Sequence, residues 1–411
     1  MTLRPAIAAA LSLVTGLARA EPFDVEHFPG GPDRPAIVLA RRPGQQATLR
    51  ISFAAGAVED GSRRGLTRLT QQALLAANRR VDYQALHLEI HGAAASLSVE
   101  TELRESAFTL TADWRDFPGL ARSLAEAVLA PRVDVKAMSR ARARAVLDGK
   151  LPGRGSGLPH LLASLMVEDG RYLNEPYGDG DTPGTISSRD VQAHRERYLA
   201  PGNATVVVTG RFDRDEMLRF LRTFRGGRRS ESGRPVVQLP VRARRRSSAE
   251  TYLLAYPLAL QSARGAATAR MACAVLHAEL WKRFREVGIG YTFEVFALRD
   301  RWADLLVLVV PAHDPSSVDL GSHLLEAIEA VKAGRFADDA FERARSTALA
   351  EMLELDRNPE ALARELDAGS AWHARATAEA IRNVARADFV ADVSAALAGD
   401  RALVAYFGPR P

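Results

Sequence analysis

The chain is nearly free of cysteine and lysine, and its body holds no long apolar run. The only cysteine is Cys273. It falls in an apolar helical segment, so no disulfide can form within the chain, and the thiol reads as a small buried hydrophobe rather than a nucleophile. No cysteine stands near the start, so a lipid anchor is not expected. No stretch after the first twenty residues approaches 18 uninterrupted apolar positions, which argues against stable membrane insertion. Lysine occurs only at Lys136, Lys150, Lys282 and Lys332, so nearly all of the 55 basic residues are arginine. Net charge is +5 overall. A basic balance built from arginine in an alanine-rich chain is weak evidence for nucleic acid, and no such partner is expected.

Familiar catalytic constellations are missing too. Gly155-Ser156-Gly157 lacks the five-residue elbow and strand-turn-helix setting of a hydrolase serine. No Gly-x-Gly-x-x-Gly follows a strand into a helix. Gly178-Asp179-Gly180-Asp181 has neither the ligand run nor the distal glutamate of a calcium loop. His87 and His91 stand four apart on a predicted helix, but no third ligand suggests itself, and they read as a surface pair.

What is present begins with an export signal. Arg4 supplies a positive start, Ala6–Leu17 an apolar run, and Ala18-Arg19-Ala20 a cleavage site before Glu21. The remaining 391 residues are expected outside the cytoplasm, in the periplasm, and suffice for two ordinary domains.

One plan of elements occurs twice. In the first half, period-two alternation predicts strands at Ala93–Glu100 and Ser106–Asp113, with helices at about 65–77, Phe117–Leu129 and Val133–Asp148. A helix at Ser187–Tyr198 then leads to a strand at Ala204–Thr209. In the second half a helix at Ala266–Phe284 precedes strands at Tyr291–Ala297 and Asp304–Val310. Helices at about 316–333, 337–354, 360–374 and 377–396 and a strand at Ala402–Phe407 follow. Each half also opens on a strand pair, at about 36–57 and 249–258. The fold class expected is α+β, an internal duplication in which each half is a mostly antiparallel sheet packed against helices. The divisions are 1–20 (signal), 21–221 (first domain), 222–248 (linker) and 249–411 (second domain). The linker is arginine-rich and reads as a solvated segment, with an anion-binding strip as the sharper alternative.

Three segments carry a family resemblance over the whole mature length. Glu175-Pro176-Tyr177-Gly178, Gly184-Thr185-Ile186 and Tyr198 through Gly210 match a "PYG…sI…YxPxNxxxxxxG" pattern. Gly65-Leu66-Thr67-Arg68-Leu69 matches the approach to a metal helix. Leu280 through Tyr291 resembles an "LF-x-x-LRE-x-x-GLxY" segment. Together these resemble the pitrilysin/insulinase zinc metallopeptidases, of the half-length type in which two chains close as a clamshell. Where that family has His-x-x-Glu-His, this sequence has Arg68, Gln71 and Gln72. A guanidinium cannot ligate zinc, and an amide is neither a good ligand nor a base. The resemblance therefore implies a catalytically inactive subunit with no metal or other cofactor of its own. Its expected partner is a catalytic chain that carries zinc on an intact motif.

It also implies that Arg285 and Tyr291 reach a peptide substrate across the chamber, donating hydrogen bonds to its carbonyls. The step between them is six residues where the family has seven, so Arg283 stands as an alternative to Arg285. The rival reading is a structural or chaperone-like scaffold of the same fold, without a role in proteolysis.

Overall fold

The computed structural model describes residues 25–408 except 77, 79–80, 135–137, 151–156, 179–181, 231–233, 248–249, 261, 287–291, 313–319 and 369–373. The expected export signal lies outside the described residues. Two sheets account for all the named strands. The first is built from β1 (Val25–Phe28), β2 (Ala36–Arg41), β3 (Gln46–Phe53), β4 (Ser96–Thr101), β5 (Ser106–Asp113) and β6 (Ala204–Gly210). Its order is β1-β2-β6-β3-β5-β4. The second is built from β7 (Val241–Arg246), β8 (Glu250–Pro257), β9 (Glu294–Arg299), β10 (Asp304–Ala312) and β11 (Leu403–Gly408), in the order β7-β11-β8-β10-β9.

Apart from β1 the two orders correspond strand for strand. In each sheet the late strand enters beside the first and runs parallel to it, β6 with β2 and β11 with β7. The other neighbours pair antiparallel. A parallel return needs a long crossover, and each half supplies one in its helices.

The first half contributes α1 (Leu66–Ala76), α2 (Tyr83–Gly92), α3 (Phe117–Leu129), α4 (Met138–Lys150), α5 (Leu158–Met166), the one-turn α6 (Thr182–Thr185), α7 (Ser188–Tyr198) and α8 (Arg214–Leu221). The second contributes α9 (Ala263–Glu286), α10 (Leu320–Lys332), α11 (Asp338–Arg357), α12 (Pro359–Asp367), α13 (Ala374–Asn383) and α14 (Arg386–Ala396).

Alternation along the strands decides the packing. Leu49, Ile51 and Phe53 of β3 join Phe108 and Leu110 of β5 against Phe117, Leu120 and Leu124 of α3. Leu254 and Tyr256 of β8 face Met271, Val275 and Leu276 of α9. The opposite faces are covered reciprocally. Leu253 and Ala255 of β8 meet Leu162, Ala163 and Met166 of α5, a first-half helix. Val38, Ala40 and Val207 of the first sheet meet Leu362, Ala363 and Leu366 of α12, a second-half helix. Burying the two α12 leucines is worth roughly 3–6 kcal/mol, so neither sheet is complete without the other half.

Between the halves lies a buried charge network. Arg50 Nε donates to Asp367 at 2.7 Å and its Nη1 to Thr109 at 2.9 Å. Arg301, from the turn between β9 and β10, donates to Glu105 at 2.5 Å and to Ser52 at 3.2 Å. At the network's exposed rim, Arg364 of α12 donates to Glu100 at 2.8 Å.

Two elements differ from the sequence reading. The strand that opens the second half lies at Val241–Arg246, inside the arginine-rich segment. Val241 and Ala243 turn toward the apolar cluster beneath the sheet while Arg242, Arg244 and Arg245 stay exposed. Period-two burial is there, masked by arginines that also guard an open edge. The single helix expected over 377–396 is two, α13 and α14, broken at Val384 and Ala385. The break lets Ile381 and Phe389 enter one core from different directions, a tertiary demand that local propensity does not encode.

Candidate functional site

Helix α1 starts from a strong local cap. Gly65 takes φ +85°, a conformation that favours glycine. The buried Asp60 carboxylate accepts from the amides of Gly65 and Thr67, each at 2.7 Å, and from the Thr67 hydroxyl at 2.6 Å. Burial raises the Asp60 pKa to about 7, opposed by those Thr67 and Gly65 hydrogen bonds. Thr67 also bonds His194 at 2.8 Å. That ring is pushed down to about 3, first by burial and then by Arg197, so it stays neutral.

Residues 68, 71 and 72 stand at i, i+3 and i+4 and share one face of α1. All three are buried. Arg68 forks onto Asp148 of α4, with Nε at 3.0 Å and Nη2 closer. Its Nη1 donates to the Val99 carbonyl of β4 at 2.9 Å, and the Tyr177 ring lies 4.9 Å beneath the guanidinium. Gln72 Nε2 reaches the same Asp148 oxygen at 3.0 Å. Gln71 accepts from Thr101 at 2.6 Å and donates to the carbonyls of Glu100 at 2.9 Å and Ala107 at 3.3 Å.

This face offers nothing to a metal. Its one carboxylate is already neutralised by a fixed cation, and Gln71 is bonded at both ends. The hydrolytic water of a zinc site needs an open coordination position and a free base; neither exists here. Among the described residues no group of three or more His, Cys, Asp and Glu side chains is arranged to hold a metal. His87 and His91 stack with ring centroids 5.6 Å apart, and His87 is bonded to Tyr83 at 2.6 Å.

Asp148 was not singled out from the sequence. The available signal was that it is the only acid in Met138–Lys150, a helix otherwise rich in arginine.

The residues expected to touch peptide lie in the other half. Arg285 sits in the last turn of α9, exposed, with no hydrogen-bonding or ionic partner among the described residues. Arg283, its alternative, is tied to Glu326 of α10 at 2.9 Å. Tyr291 lies outside the described residues. No helix of the described chain is long and apolar enough to cross a membrane.

Residues 185–348 match the family described as Peptidase M16 inactive domain. Among solved structures, a peptidase M16 inactive domain from Pseudomonas fluorescens has TM-score 0.77 at 15% identity, covering 94% of this chain and 98% of that one. A protease from Helicobacter pylori has TM-score 0.77 at 10% identity, with 94% and 99% covered. A chain of complex III2 from Candida albicans, with Inz-5 bound, has TM-score 0.72 at 14% identity, with 94% and 96% covered. No curated protein sequence matches. The fold is thus shared end to end with M16-type chains. The family match itself spans residues 185–348, and the filled face of α1, which lies outside that span, holds no metal-ligand set.

Proposed function

We propose that this chain is the inactive subunit of a two-chain, exported zinc peptidase, pairing with a catalytic chain that carries the metal. It completes the chamber and holds peptide through Arg285 and Tyr291. The observation that carries the reading is the α1 face, where Arg68 and Gln72 converge on Asp148 and leave no ligand set. A chain so built retains the fold while the metal chemistry must come from elsewhere. The guanidinium of Arg285, without a partner among the described residues and beside an Arg283 already engaged, supports the first of the two as the peptide contact.

The test is co-purification with a tagged copy of this chain, followed by zinc analysis and peptide hydrolysis on the complex. The expected result is zinc in the partner, with turnover lowered by Arg285→Ala and Tyr291→Phe while the complex stays intact. A scaffold of the same fold is the second reading, favoured by a structural neighbour drawn from the Candida albicans complex. It predicts an intact complex whose turnover ignores both substitutions.

A further inference from the structure

A groove of about 780 Å³ lies between the C-terminal turns of α9 and the start of α11. Its size falls within the range of ligand pockets. Trp281 forms its aromatic wall and is 41% exposed, unusual for so large an apolar ring. Beneath it Phe293 stacks on His277 with centroids 4.8 Å apart. His277, Trp281 and Arg285 follow at steps of four along α9, so Arg285 lies on the same face of the helix one turn beyond the groove.

Charge gives the groove its sign. Lys282, Arg335 and Arg343 line it against a single carboxylate, Glu279. The acids that open α11 are already engaged, Asp338 with Arg386 and Asp339 with Arg343. Lys282 and Arg335 have no ionic partner among the described residues. The end of α9 and the start of α11 contribute about half a charge each, of opposite sign. They offset, leaving the side chains to decide. Lys282 and Arg335 then outweigh Glu279.

We propose that this groove binds an acidic, extended segment of peptide. A carboxylate would sit between Lys282 and Arg335, and an adjoining apolar side chain would lie on Trp281. This rests on the peptide-binding reading of the Arg285 end of α9, and it names the class of peptide that end selects.

The test is tryptophan fluorescence titration of the full chain with an alternating Leu/Glu peptide and its Leu/Gln counterpart. The Glu peptide should quench Trp281 and bind on the order of tenfold tighter than the Gln peptide, an advantage that salt erodes. Lys282→Gln or Arg335→Gln should each weaken the Glu peptide about two- to fivefold, the range for an exposed pair. Trp281→Phe should remove the peptide-dependent change, because among the described tryptophans only Trp281 lines the groove. Equal binding of both peptides, or indifference to Lys282→Gln and Arg335→Gln, overturns this inference and leaves the peptide-binding reading standing. If neither peptide binds the chain or its complex, that reading falls as well.

Discussion

Replacing Arg68 with leucine should be among the most damaging single changes in the first half. The guanidinium is buried, forks onto Asp148, and caps the Val99 carbonyl at 2.9 Å. Arg68→Leu leaves the Asp148 carboxylate buried with Gln72 at 3.0 Å and Arg144 at 3.6 Å. Removing one partner of a buried pair costs about 3–5 kcal/mol. Arg144 is half exposed and can compensate only in part, so the lower end of that range applies, about 3 kcal/mol. For a chain of some 390 residues unfolding as one unit, at about 2.1 cal/mol/K per residue, this lowers Tm by roughly 4 °C. The double variant Arg68→Leu/Asp148→Leu removes both charges and should recover most of the loss, because well-packed apolar replacements of buried pairs are often neutral. The assay is calorimetry with matched urea titrations of the parent, both single variants and the double. An Arg68→Leu chain within about 0.5 kcal/mol of the parent, or a double variant no better than the single, would refute the reasoning.

Three further outcomes follow. The Asp60 pKa is raised in the folded state to about 7, so its contribution is full below about pH 4 and is lost as pH rises through 7. Asp60→Asn should flatten the stability curve between those values by a few kcal/mol, and an unchanged slope would count against the burial argument. Because α5 and α12 each complete the other half's sheet, thermal unfolding should show one cooperative transition, and Asp367→Ala should shift it without splitting it; two well-separated transitions in the parent would contradict the interlock. Finally, Asp148 touches both Arg68 and Gln72, so the triple variant Arg68→His, Gln71→Glu, Gln72→His should gain zinc by metal analysis. Failure of the folded variant to bind zinc would mean that α1 and α4 are not placed as a degenerate metal site.

Much of the fold was legible from periodicity alone. Ser106–Asp113 and Phe117–Leu129 carry clean alternation and helical spacing, and both stand at the residues expected. The repeated order of elements foreshadowed two corresponding sheets. Long-range demands hid the rest. Val241 and Ala243 reveal a strand only when the sheet that receives them is known, since arginines fill the positions around them. The exchange of α5 and α12 between halves depends on contacts that no local pattern records. At the site, Arg68, Gln71 and Gln72 declared the missing metal chemistry by residue type. Asp148, 76 positions beyond Gln72, became visible only once α4 was folded against α1. The groove at Trp281 escaped notice because its residues come from two helices far apart in sequence.

The central claim is tested most directly by weighing zinc in the purified single chain beside its complex with the catalytic partner. The account predicts no bound zinc and no hydrolysis from the chain alone, with both appearing in the complex. Stoichiometric zinc in the single chain, with hydrolysis that a chelator abolishes, would contradict it.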